Sequence, residues 1–163
     1  MGVDPGLVAT GFAVLEAAPG AVTVLDVGVI STGATQSLEA RLNAIHRAML
    51  QIIEAHAPAC LVVEDLYAEY KFPRTAILMG HARGVIYLAA RQLGVAVTAL
   101  APSEVKRAVT GSGAAGKTQV QRSVQTLLGL RDLPRPSHVA DALGLAVTGL
   151  ARLTGITPKR AAR

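Results

Sequence analysis

Two short apolar runs, each closed by a carboxylate, limit what this chain can fold into more than any other feature. Met1-Gly2-Val3-Asp4 is followed by the turn pair Pro5-Gly6, and Cys60-Leu61-Val62-Val63 ends in Glu64. Runs of this length and composition, bounded by turn residues, read as buried strands. As neighbouring parallel strands they would bring Asp4 and Glu64 side by side at the carboxyl edge of a sheet, where open α/β sheets usually place their sites. A third carboxylate lies far along the chain. Ser137-His138-Val139-Ala140-Asp141 opens an apolar helix, and His138 and Asp141, three residues apart, project from one face of it. Three carboxylates and an imidazole at one point repel one another unless a cation sits among them, and an oxygen-rich set with one nitrogen suits Mg²⁺ or Mn²⁺ better than a structural zinc. Taken singly, Asp4 could be a turn former, Glu64 a solvent-facing strand end and His138 a helix cap. These separate accounts leave the convergence unexplained.

The remaining pattern supplies the frame. Residues 10–15 and 21–30 are β-like runs joined by a short turn containing Pro19-Gly20, which is hairpin geometry. Residues 37–56 read as an amphipathic helix, with Leu38, Leu42, Ile45, Met49, Ile52 and Ile53 on one face and Ser37 as its cap. Residues 75–93 form a helix with small and apolar residues on more than one side, so it is expected to pack on two surfaces, one of them a second copy of the chain. A strand over 95–100 and helices over 102–109, 117–128 and 137–153 complete an α/β domain spanning residues 1–153. Residues 154–163, with Pro158-Lys159-Arg160, read as a flexible basic tail.

At 163 residues and 51% hydrophobic, the chain fits one domain with a proper core. The single cysteine, Cys60, sits inside an apolar strand and excludes disulfides and cysteine-based metal sites. No apolar run is long enough to span a bilayer and no cationic-then-apolar leader opens the sequence, so a cytoplasmic protein is expected, with no membrane partner. Charge is divided unevenly. Residues 1–70 carry two Lys/Arg against eight Asp/Glu, and residues 71–163 carry fourteen against three. An acidic cluster facing a basic half is what a metal-dependent enzyme acting on a polyanion needs. Aromatic residues are scarce, yet Tyr67, Tyr70 and Phe72 all fall in the polar stretch 65–74.

Gly111-Ser112-Gly113-Ala114-Ala115-Gly116-Lys117-Thr118 matches the P-loop pattern letter for letter, and an actin-like or P-loop-like nucleotide phosphohydrolase is the competing reading. The context opposes it, because a P-loop follows a buried strand, whereas residues 103–109 read as a short amphipathic helix. A Gly-rich loop with Lys117 at a helix start can instead hold a backbone phosphate of nucleic acid. A DNA-binding architectural protein without chemistry is the third class.

The motifs together resemble the RuvC family of Holliday-junction resolvases over nearly the whole chain. The residues that carry the likeness are Gly2-Val3-Asp4-Pro5-Gly6 with Thr10-Gly11, Val63-Glu64-Asp65 with Tyr67, Gly80-His81-Ala82-Arg83-Gly84-Val85, Gln119-Val120 after Lys117, and His138-Val139-Ala140-Asp141-Ala142-Leu143. The resemblance implies an RNase H-like fold with a mixed five-stranded sheet flanked by helices. It also implies a homodimer, paired incisions at a four-way junction, two Mg²⁺ or Mn²⁺ ions per site, and partnership with the RuvA–RuvB branch-migration complex. By the same resemblance, Asp4, Glu64 and Asp141 are the catalytic acids and metal ligands, with His138 beside them. Lys106 and Lys117 fall at basic DNA-contacting positions and Tyr67 at the aromatic near the crossover. Arg74 and Arg122 are added here as further DNA contacts.

Overall fold

A computed structural model describes residues 1–18, 21–65 and 73–156. Five strands form one mixed sheet in the order β3-β2-β1-β4-β5: β1 (Gly2–Asp4), β2 (Ala9–Ala18), β3 (Ala21–Ser31), β4 (Cys60–Glu64) and β5 (Ala96–Leu100). β1, β2 and β3 pair antiparallel, while β4 runs parallel to both β1 and β5. The register Gly2↔Val62 and Val3↔Val63 carries Asp4 and Glu64 to the same edge. The hairpin of β2 and β3 is longer than the alternation suggested, because its outer residues face solvent on an edge strand; its turn at Pro19-Gly20 lies outside the described residues.

The two-residue period of the strands sorts their side chains into two cores. On one face Val3, Leu61 and Val63 meet Ile45, Met49 and Ile53 of α1 (Leu38–His56) and Ile86, Ala89 and Ala90 of α2 (Pro73–Gln92). On the other, Ala13 and Leu15 pack with Val124 of α4 (Lys117–Leu128) and with Ala142, Leu143 and Ala146 of α5 (Ser137–Thr154). Val62 and Leu100 meet Val105 of the short helix α3 (Pro102–Thr110). Ser37 caps α1, accepting from the Ala40 amide at 3.5 Å, and Pro102 occupies the first turn of α3, as the sequence implied. α5 extends through Thr154, one residue into the expected tail; residues 157–163 lie outside the described part. Among the described residues α2 is buried along one face, and Ile77 and Leu88 are exposed on the other.

The close seating of α5 depends on glycine. A Cβ at Gly2 would run into the Ala142 carbonyl and the Ala146 amide of α5, and one at Gly11 would strike the carbonyl of His138. Both obstacles are backbone, which cannot step aside as a side chain can. Gly11→Ala should therefore lower unfolding free energy by about 1–3 kcal/mol, the usual cost of overpacking, although alanine is the better strand residue. Urea unfolding at fixed pH measures this, and an unchanged or raised midpoint would refute the close-approach account.

Candidate active site

The turn after β1 is braced before any chemistry is considered. Thr10, fully buried, donates its hydroxyl to the Gly6 carbonyl at 2.7 Å and accepts from the Gly6 amide at 3.3 Å. This holds Pro5-Gly6 and so fixes the direction in which Asp4 leaves the strand. α5 enters over the same edge, and His138 Nδ1 lies 2.6 Å from Oδ2 of Asp4. Asp4, Glu64, His138 and Asp141 line one open cleft of about 250 Å³ with Lys106 from α3 and Lys117 from the start of α4; Pro102, Val105, Val120 and Leu145 form its apolar lining.

Electrostatics in this cleft follow from crowding. Burial, followed by the charges of Asp4 and Asp141, pushes the Glu64 carboxyl up to about 7 from an ordinary 4.5, with Lys106 and Lys117 pulling the other way. Asp141 is raised from 3.8 to about 6, by burial first and Asp4 second, against the opposing charges of Lys117, His138 and Lys106. The hydrogen bond to Asp4 raises His138, and the neighbouring carboxylates add to it. A cation would relieve this self-repulsion, and the set of three carboxylates and one imidazole is chemically suited to a hard divalent ion. Among the described residues no cluster of three or more His, Cys, Asp or Glu stands ready to enclose an ion. The four side chains line the walls of the cleft, with Asp4 and His138 engaged with each other.

Lys106 and Lys117 thus reach the site where the sequence put them. Arg74, exposed near the start of α2, does not line the cleft. Arg122 lies in a separate shallow groove along α4 with Thr118, Gln119, Ser123 and Thr126. Tyr67 lies outside the described residues, as do Tyr70 and Phe72. The Gly-rich stretch follows a helix: Gly111 caps α3 in the left-handed region at φ 83°, and Gly116 caps the start of α4. That context removes the strand a P-loop requires. Sequence reasoning gave no role to Arg83, whose guanidinium reaches the Glu64 carbonyl at 3.1 Å and Asp65 Oδ1 at 2.8 Å. It appeared in a recurring motif without any charge partner in view.

Mixed sheet, flanking helices and edge carboxylates define an RNase H-like nuclease. The chain belongs to the RuvC family: the model for crossover junction endodeoxyribonuclease RuvC matches residues 1–149. A RuvC from Rhodopirellula baltica is 42% identical over 149 residues, covering 91% of this chain and 84% of the relative. One from Moorella thermoacetica is 44% identical over 147 residues, covering 90% and 87%. The structure of T. thermophilus RuvC in complex with Holliday junction substrate superposes with a TM-score of 0.86 at 34% identity, covering 97% of both chains. The enzyme class is therefore that of a crossover junction endodeoxyribonuclease, a metal-dependent phosphodiester hydrolase, and the nucleotide phosphohydrolase reading is not supported.

The three raised groups give a pH dependence of one sign. Each holds its proton more tightly folded than unfolded, so each contributes stability that is present below its unfolded pKa and lost as pH rises through its folded value. With chelator present, stability should fall between about pH 4 and pH 7 through Glu64 and Asp141, and further above 6.5 through His138. For Glu64 the loss is on the order of 3 kcal/mol, at about 1.4 kcal/mol per pKa unit. Thermal melts in EDTA across this range should show a steeper decline for the native chain than for Glu64→Gln, and added Mg²⁺ or Mn²⁺ should reverse the decline at pH 8. Parallel pH profiles for the two proteins would remove Glu64 from the cluster.

Proposed function

We propose that this cleft is where the chain hydrolyses strands of four-way DNA junctions, with Asp4, Glu64, His138 and Asp141 as its catalytic residues and as ligands of two Mg²⁺ or Mn²⁺ ions. The observation that carries the reading is the meeting of these four side chains with Lys106 and Lys117 in one cleft. Bound there, two divalent ions supply an activated water and neutralise charge on the leaving oxygen. The protein's part is positional. Asp4 would hold the metal together with Glu64 from β4 and Asp141 from α5, and His138 orients Asp4 through their 2.6 Å contact. Lys106 and Lys117 would hold backbone phosphates of the bound strand and offset the acidic charge.

Symmetric cutting needs two such clefts, and the exposed stripe Ile77, His81, Gly84 and Leu88 along α2 fits a second copy of the chain. Tyr67, three residues beyond Glu64 in sequence, is assigned to stack on a base at the crossover, and Arg74 and Arg122 to the outlying arms. The remaining assignments are association with a RuvA–RuvB complex, a cytoplasmic location, and a basic tail beyond the domain of residues 1–153. None of the described helices is long and apolar enough to cross a membrane.

Asp4→Asn separates binding from chemistry, because it removes one charge and a carboxylate that would hold the metal while keeping the side chain's size. Junction affinity in EDTA should be kept or slightly raised, whereas single-turnover cleavage with Mg²⁺ should fall by several orders of magnitude; near-native cleavage would sink the site assignment. Lys117→Ala should weaken junction binding about equally for all sequences and reduce the salt slope by roughly one. Saturable ATP binding lost in that variant, with DNA affinity intact, would return the Gly-rich loop to the nucleotide reading.

A further inference from the structure

The carbonyl of Glu64 faces a break in the sheet that the sequence itself creates. The parallel ladder between β1 and β4 includes the Val62 amide donating to the Met1 carbonyl at 2.8 Å. In a parallel pair alternate residues of one strand bond the two neighbours of their register partner, and the residues between them bond the strand on the other side. Two residues on, the same alternation assigns the Glu64 carbonyl to the amide of residue 5. Residue 5 is Pro5, which has no N–H. A half-buried carbonyl without a donor costs about 1–3 kcal/mol, and here it belongs to the backbone of a proposed metal ligand.

Arg83 fills that gap from α2. Its Nη1 donates to the Glu64 carbonyl at 3.1 Å and to Asp65 Oδ1 at 2.8 Å, and its Nη2 donates to the Tyr87 hydroxyl. The guanidinium carbon lies 4.8 Å from the centroid of the Tyr87 ring, one helical turn along, and only 11% of the Arg83 side chain is exposed. From the other side the Asp65 amide donates to the Leu100 carbonyl at 2.8 Å, which ties the same peptide to β5. The end of β4 is therefore clamped on both sides. A planar fork serving a carbonyl, a carboxylate and a phenol at once is a task for arginine; the single ammonium of lysine cannot reproduce it.

We propose that Arg83 is a positioning residue for the reaction: it replaces the ladder donor missing at Pro5, pins the carboxyl end of β4 to α2, and so holds Glu64 in the cleft. The proposal rests on the reading of Glu64 as a catalytic ligand. Removing hydrogen-bond partners that orient metal ligands typically costs 10–100-fold in metal affinity or activity.

The test compares the native chain with Arg83→Lys, Arg83→Met and Pro5→Ala/Arg83→Met. Single-turnover cleavage of a four-way junction by Arg83→Met should be roughly 10–100-fold slower, with a higher half-saturating Mg²⁺ concentration, while junction affinity in EDTA stays within about twofold. Arg83→Lys should be nearly as impaired. Added guanidinium should partly restore Arg83→Met, and the amide supplied by Pro5→Ala should recover part of the rate in the double variant. Hydrogen exchange of the Asp65 amide, measured without metal or DNA, should be faster in Arg83→Met. Unchanged cleavage, a loss of junction affinity in step with cleavage, or full rescue by lysine would each overturn the proposal; the second would make Arg83 a DNA contact. Should the native chain fail to cut junctions at all, the functional reading falls, while the exchange measurement still reports on the clamp.

Discussion

Everything at the site depends on how closely α5 can lie on the sheet. His138 and Asp141 are more than 130 residues from Asp4 in sequence, and only the height of one helix above β1 and β2 decides whether they meet it. Gly2 and Gly11 set that height, since side chains there would collide with the backbone of α5. Gly149 repeats the device farther along the helix, where a Cβ would meet Val62. A helix seated on glycines is held at one distance by hard contacts, so the 2.6 Å approach of His138 to Asp4 is inherited from packing. The chain thus spends backbone entropy at three strand and helix positions where a larger residue would have packed more area. The gain is positional: the third carboxylate arrives on a rigid element.

The electrostatic arrangement carries the opposite sign of stability. Burial first, and the neighbouring carboxylates second, push Glu64 and Asp141 above their usual ranges, and Lys106 and Lys117 offset only part of this. Such a cluster is strained by design in the sense common to catalytic sites, where perturbed groups gather because charge is needed there. The cost is borne by apolar layers on both faces of the sheet, each containing fully buried aliphatic side chains such as Ile45, Met49 and Leu143. Uneven charge along the sequence becomes a local pairing in space. Acids supplied by β1 and β4 in the early half face lysines supplied by α3 and α4 in the later one.

Much of this was legible in the sequence, for physical reasons that differ by residue. Asp4 and Glu64 stood out because a carboxylate closing an apolar strand is costly unless it serves a purpose, and His138 and Asp141 because helical spacing gives them one face. Lys106 and Lys117 came from the family resemblance, and the fold brings them to the cleft. Arg74 and Arg122 lie outside the cleft, and an exposed arginine on a helix carries no sign in the sequence of which way it faces. The expectation that residues 75–93 pack on two surfaces is met on one side within the chain, and the second side, with Ile77 and Leu88, is left for the second copy. Alanine and glycine fit either a buried or an exposed face, so the pattern alone did not say which side of the helix faces the sheet. Arg83 was hidden more deeply, since its role depends on a register between β1 and β4 that sets a missing amide at Pro5 opposite Glu64.

The Gly-rich loop shows why letters and physics can part. In a P-loop the glycines wrap a phosphate between a strand end and a helix start, and the lysine reaches over it. Here Gly111 ends α3 by taking the left-handed conformation that a helix terminus favours, and Gly116 stands at the start of α4 without a capping side chain. The same eight residues are therefore a helix-to-helix corner. Yet the corner retains one property of the motif, a lysine in the first turn of a helix, and it points that lysine into a cleft lined with carboxylates. A phosphate drawn there meets Lys117 and Lys106 in the same cleft as the acidic cluster. The corner thus suits a polymer that passes through the cleft, held by successive phosphates, better than a nucleotide enclosed by a loop.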